Sequence, residues 1–242
     1  SNRSGIKPGS DRSDGKGPFK RMVIRGATLI NGNGSPPVGP VDIVIENNRI
    51  KEVQSVGYPG VPIKESRRPK KGDFEIDASG HYVLPGFVDL HVHAGSAQKA
   101  PDTDYVYKLW LAHGVTTVRG VGLGPFDFTL KEKARSKANK ITAPRIWAYQ
   151  RPGQGNNWKG GPVRDPENAR RWVRFAAKEG IDGLKLVAYE PALMEALIDE
   201  AKKQKLGTTA HLGQTGVARM NTLDAARLGL GTQTHFYGLF ES

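Results

Sequence analysis

The 242-residue sequence contains no cysteine. That excludes a disulfide framework and a thiolate metal site, so any metal must be held by histidine, carboxylate or a modified side chain. No apolar run approaches ~20 residues, which excludes an α-helical membrane span. Acidic residues are scarce beside basic ones, and the net charge is +12. Three segments carry the whole excess: residues 1–21 (six basic, two acidic), 64–71 (five and one) and 131–140 (five and one). Separate lysine-rich loops and one solvated helix face do not make a continuous nucleic-acid groove, so no nucleic-acid partner is expected. Hydrophobic residues reach only 37%, with a mean hydropathy of −0.50, which still suffices for a core. The compartment stays open, either cytoplasmic or periplasmic/secreted after signal removal.

What is present is punctuation, with 30 glycines and 16 prolines. Residues 1–20 are polar and Gly/Ser/Lys-rich, and read as a flexible or strap-like basic arm. Residues 21–82 hold short β-rich runs, including two separated by Asn47-Asn48 that read as a hairpin. This predicts a small β-sandwich domain. From Val83 the rhythm becomes alternating strand and helix. Asp165-Pro166-Glu167 opens one helix with an N-cap acid and a first-position proline, and Gly180 closes it. Six β units with five intervening helices argue for a parallel sheet with right-handed crossovers. Their number favours a TIM-type (β/α) barrel over 83–242, and no Gly-x-Gly-x-x-Gly follows the first strand to suggest a dinucleotide fold.

The stretch Val83–Ala94, VLPGFVDLHVHA, ends its strand in His91-Val92-His93. Residues two apart on a strand face the same way, so two imidazoles stand side by side. In a barrel, chemistry sits at the C-terminal ends of the strands. Lys185 falls within strand four, His211 ends strand five and His235 ends strand six. Strand parity turns Lys185 inward if Leu184 and Leu186 face the helices. A buried lone lysine is costly unless neutral, and a neutral amine can take up carbon dioxide to become an anionic carbamate. The bland alternative is a snorkelling surface lysine. Tyr189 and Tyr237 follow strands four and six, at the rim. The loop 150–164 is long enough for a lid, or is plain surface.

Together, Leu84–His93, Gly114–Arg119, Lys185, His211 and His235 resemble the amidohydrolase superfamily of metal-dependent hydrolases, in particular its imidazolonepropionase-like and prolidase-like members. Gly26–Ile30 is similar to the start of the small sandwich these enzymes carry. The resemblance implies two divalent metal ions, usually zinc. His91 and His93 would bind one and His211 and His235 the other, with carboxylated Lys185 bridging. It also implies hydrolysis of an amide or other C–N bond by a metal-bound hydroxide. Arg119, Tyr189 and Tyr237 are candidates for contact with a small-molecule or peptide-like substrate.

The family barrel has eight strands and an aspartate after the last, and neither the final two strands nor that aspartate is found here. The chain is therefore expected to be the N-terminal part of a longer enzyme, completed by a second polypeptide or within a homo-oligomer. Two rival readings stand beside the amidohydrolase. One keeps the metals but makes it an esterase, lactonase or phosphotriesterase. The other is a catalytically inactive fragment with a structural or binding role.

Overall fold

The computed structural model describes residues 5–94, 102–213, 216 and 218–236. The chain forms two compact units, Ser13–Gly86 and Ser1–Arg12 with Phe87–Ser242.

The smaller unit is one mixed sheet. Its strands are β1 (Arg21–Leu29), β2 (Val38–Glu46), β3 (Arg49–Ser55), β4 (Phe74–Asp77) and β5 (Tyr82–Val83). The order is β3-β2-β1-β4, with β5 also beside β1. β1 to β3 are antiparallel, and β4 and β5 run parallel to β1. The hairpin turn falls at Asn47, whose φ of 55° is one that asparagine tolerates well. Alternation on β1 and β2 buries Ala27, Val41 and Ile43 against Ala78. Asp42 is fully buried, and its carboxylate accepts from Gly26 N (2.8 Å), Arg25 (2.9 Å) and Arg68 (3.1 Å). The second layer of a sandwich is not found among the described residues. Tyr82–Val83 also differs from expectation: it pairs with β1, and the first barrel strand starts only after the Pro85-Gly86 turn.

The larger unit is a partial (β/α) barrel. Its strands are β6 (Phe87–Val92), β7 (Val115–Val121), β8 (Arg145–Gln150), β9 (Gly183–Val187), β10 (Gly207–His211) and β11 (Thr232–Gln233). They are parallel and adjacent in sequence order. The helices are α1 (Thr103–Ala112), α2 (Phe126–Lys137), α3 (Pro166–Glu179), α4 (Pro191–Lys203) and α5 (Thr222–Arg227). Caps fix several boundaries. The Asp165 side chain accepts from Asn168 N, and α3 stops at Gly180 with φ 98°. Asp102 caps α1 and Asn221 caps α5 in the same way. One face of the sheet packs on helices. Leu184, Leu186 and Ala210 join Trp172, Val173, Met194 and Leu197 in the largest cluster. Val92, Val118 and Ile146 join Tyr107 in a second.

The other face is concave. In a flat sheet, five strand spacings would separate β6 from β11 by about 24 Å. Yet the rings of His91 and His235, borne by β6 and by the residues after β11, lie 4.8 Å apart. Only a curled sheet brings them together.

The N-terminal arm is not loose over its described part in this unit. Gly9 N donates to the buried Glu132 carboxylate (2.8 Å), Ser10 N to Asp104 (2.7 Å) and Arg12 N to Lys140 O (2.8 Å). Ile6 is buried, and Arg135 reaches Asp11 at 2.9 Å. The low apolar content that suggested flexibility is offset by carboxylates of α1 and α2 that accept the backbone N–H groups. The loop after β8 is pinned as well. Trp158 packs on Phe175, Trp172 Nε1 donates to Gln154 O, and Asn168 Nδ2 donates to Gly160 O and Pro162 O. Those contacts describe a fastened surface loop.

Candidate metal centre

β6 delivers the histidine pair through a broken ladder. Val88 lies opposite Thr117 and Asp89 opposite Val118, but Val92 lies opposite Gly120, so the register slips between Asp89 and Val92. Leu90 and His91, consecutive in sequence, therefore both reach the concave side. Leu90 lines a hollow of about 270 Å³ with Val88, Thr117, Arg119, Trp147 and Tyr149, and His91 Nε2 approaches Lys185 Nζ at 3.5 Å. The Asp89 carboxylate accepts from His91 N (2.9 Å) and braces that irregular step.

His91, His93, His211 and His235 come together. Ring centroids are 5.4 Å apart for His91–His93, 4.8 Å for His91–His235 and 4.7 Å for His211–His235. The His93 Nδ1 lies 3.0 Å from Gly122 O. A carbonyl can only accept, so Nδ1 carries the proton and Nε2 keeps its lone pair for a ligand. His235 has φ 66°, unusual for a residue with a Cβ. The turn begins just after Thr234, whose N and Oγ1 both donate to Ala210 O at 2.9 Å.

Lys185 is 2% exposed between Leu184 and Leu186, which face the helices as parity requires. Its ammonium has few partners, with Thr234 Oγ1 at 3.4 Å and His91 Nε2 at 3.5 Å. Burial, then the charges of Arg151 and Arg119, pull its pKa down to about 8. Burial and then Lys185 bring His91 to about 4, and burial and then His235 lower His211. His91 is therefore a neutral imidazole at neutral pH, the form that binds metal.

This donor set fits divalent metals in chemistry: four imidazoles beside a lysine that loses its proton readily. It is not drawn tight. Among the described residues, no three His, Cys, Asp or Glu side chains stand as a ready-made metal-holding group.

Arg119 crosses the hollow. Its Nε donates to Leu90 O (2.7 Å), and its terminal nitrogens reach Thr232 Oγ1 (3.1 Å) and Thr209 Oγ1 (3.4 Å). The guanidinium also lies over the Tyr149 ring at 5.1 Å. Three of its five N–H groups thus tie β6, β10 and β11 together, leaving two for any other partner. Tyr189 follows β9, half-buried, with its hydroxyl pKa raised by burial. Tyr237 lies outside the described residues. Sequence reasoning passed over Asp89, Thr234 and Arg151. Arg151 had a usable signal, since it directly follows the end of β8, where barrel enzymes carry their functional groups.

The model of the Amidohydrolase family matches residues 82–241. Over 219 residues the chain is 25% identical to an enamidase of Eubacterium barkeri, covering 85% of this chain and 53% of the enamidase. Over 132 residues it is 33% identical to an adenine deaminase of Methanoculleus marisnigri, covering 51% and 24%. The crystal structure of a Xaa-Pro dipeptidase with bound methionine superposes with a TM-score of 0.68 at 21% identity, over 91% of this chain and 63% of that one. The chain thus spans about half or less of the curated relatives named. With more than half of its residues matched by one family model, and a partial barrel carrying the histidine and lysine series, the chain belongs to the amidohydrolase family.

Proposed function

We propose that the chain supplies most of the active site of a binuclear metal-dependent hydrolase that cleaves an amide or other C–N bond. In this reading His91 and His93 would hold one zinc ion and His211 and His235 the other, with Lys185, as its carbamate, a ligand to both. The observation that carries it is the meeting of four imidazoles and one buried lysine, borne by β6, β9, β10 and the residues that follow β6 and β11, on one concave face. The names of the relatives, a deaminase, an enamidase and a dipeptidase, all describe action at a C–N bond.

Divalent ions, when bound, lower the pKa of a coordinated water and polarise the carbonyl to be attacked. The protein's own groups prepare that chemistry. The neutral Lys185 amine attacks carbon dioxide, an N–C bond forms and one proton leaves, giving a carbamate. His93 is held in the right tautomer by Gly122 O. In this reading Arg119 and Tyr189 contact a small-molecule or peptide-like substrate. β6 and β11 are sheet edges, and Phe87, Val88 and Leu90 on β6 are more than half exposed. That supports completion to an eight-stranded barrel by further strands, from the same polypeptide, a second one or another copy. On this reading the chain from Phe87 onwards supplies strands one to six, and the sheet formed by residues 21–83 is part of a sandwich.

Metal analysis of the full-length protein tests the site. About two divalent ions per chain are expected, about one in His211→Ala, and none in Lys185→Ala, whose intact mass should also lack one carbon dioxide. A wild type holding well under one ion per chain overturns the proposal. Parallel kinetics on matched amides and esters separates C–N from C–O hydrolysis.

A further inference from the structure

Two arginines act on the concave face at the level of the histidines, and neither is met there by an acid. Arg119 is engaged with the barrel wall. Arg151 is different. In the β8–β9 ladder Tyr149 lies opposite Gly183 and Gln150 opposite Leu184. β8 ends at Gln150, and one further step in that register would set Arg151 level with Lys185 on the neighbouring strand. Tyr149 lines the hollow and Gln150 is fully buried on the other side, so alternation turns Arg151 back towards the concave face. Three groups on different segments feel its charge: Lys185 on β9, Tyr189 beyond it and His211 on β10.

Arg151 is exposed, and among the described residues it makes no hydrogen bond or ion pair. Some arginines of this unit are paired, Arg135 with Glu132 and Asp11, Arg174 with Glu200. The acids nearest in sequence to the site are occupied elsewhere. Asp89 braces His91 N, Asp182 is bound to Lys133 and Ala148 N, and Glu190 faces Arg219. A permanent cation left uncompensated in a concave site draws anions in and favours their binding.

We propose that Arg151 is an anion-binding group that seats a carboxylate of the substrate beside the lysine–histidine cluster, with the Tyr189 hydroxyl as second donor. The substrate class is then a carboxylate-bearing amide, such as an N-acylated amino acid. A guanidinium offers a carboxylate two parallel N–H donors, and a phenol held neutral by burial adds a third. This proposal rests on reading the site as a C–N hydrolase.

The test uses full-length, metal-loaded enzyme and a panel of N-acetyl amino acids, each paired with its C-terminal amide. Wild type should favour the acids by about ten- to hundredfold in kcat/KM, through KM, as expected for a charge-assisted contact. Arg151→Gln should bring that ratio close to one, and Arg151→Lys should restore part of it. No preference in wild type, or an unchanged ratio in Arg151→Gln, overturns the proposal. Calorimetry with N-acetylglycine and N-acetylglycinamide is read separately. If neither panel member is hydrolysed but the acid binds and Arg151→Gln abolishes that binding, the anion site stands and the hydrolase reading falls. If both are hydrolysed alike and the acid does not bind better, the hydrolase stands and the anion site falls.

Discussion

Asp89 decides where His91 points. A register slip in a strand costs ladder bonds, and here the carboxylate of the residue two before the histidine accepts its N–H instead. Asp89→Ala should therefore leave the barrel folded, at a cost of about 1 kcal/mol in stability, and weaken metal binding about tenfold or more. Unfolding melts together with metal titrations check this, and an unchanged metal affinity would refute it. The five metal-site candidates were legible in the sequence because each follows a simple rule. His91 and His93 share a strand face, and Lys185 sits between two leucines that need the helix side. The bracing groups were not legible. Nothing in alternation says that Thr234 will bond Ala210 O and release the chain into φ 66° at His235, or that Arg119 will reach across to Thr209 and Thr232. Those contacts depend on the curl of the sheet, which is a property of all its strands at once.

At the scale of elements, β9 and β10 both begin with glycine, and the reason lies on β8. A Cβ at Gly183 would fall on the Tyr149 ring, and one at Gly207 on its hydroxyl. The two glycines make the bed across which Tyr149 lies, and Arg119 rests on that ring. Gly207→Ala should cost about 1–3 kcal/mol by overpacking. The change should be far milder in a Tyr149→Ala background, and a double-mutant cycle of melting midpoints reads that coupling. Strict additivity would show that the glycine answers to something else. The helices were easier to read than this bed. Asp165, Pro166 and Gly180 bound α3 as their cap chemistry requires. The helix α5 starts at Thr222 because the Asn221 side chain caps it there, accepting from Asp224 N. Local capping chemistry is written in a few adjacent residues, whereas a close approach between strands is written in residues dozens of positions apart.

For the molecule as a whole, the polar arm takes the strap-like of the two forms that its composition allows. Composition marks residues 1–20 as a segment with nothing to bury, yet Gly9 and Ser10 give their N–H groups to Glu132 and Asp104. Glu132 is fully buried, and Arg135 holds its other oxygen at 2.7 Å. Glu132→Ala should release the strap at a cost of about 1–3 kcal/mol. In hydrogen exchange, protection at Gly9 and Ser10 should fall to that of an open chain while β9 and β10 stay protected; retained protection at Gly9 would count against the strap. The same bond has a consequence for the order in which the protein assembles. Gly9 and Glu132 are 123 positions apart, and the whole smaller unit is encoded between them. At ribosomal speeds of about 5–20 residues per second, the arm must wait roughly 6–25 s after its own synthesis before its acceptor exists. The small sheet, whose pairings all close within its own stretch, can form during that interval. The strap then becomes a late closure, made only once α2 has left the ribosome.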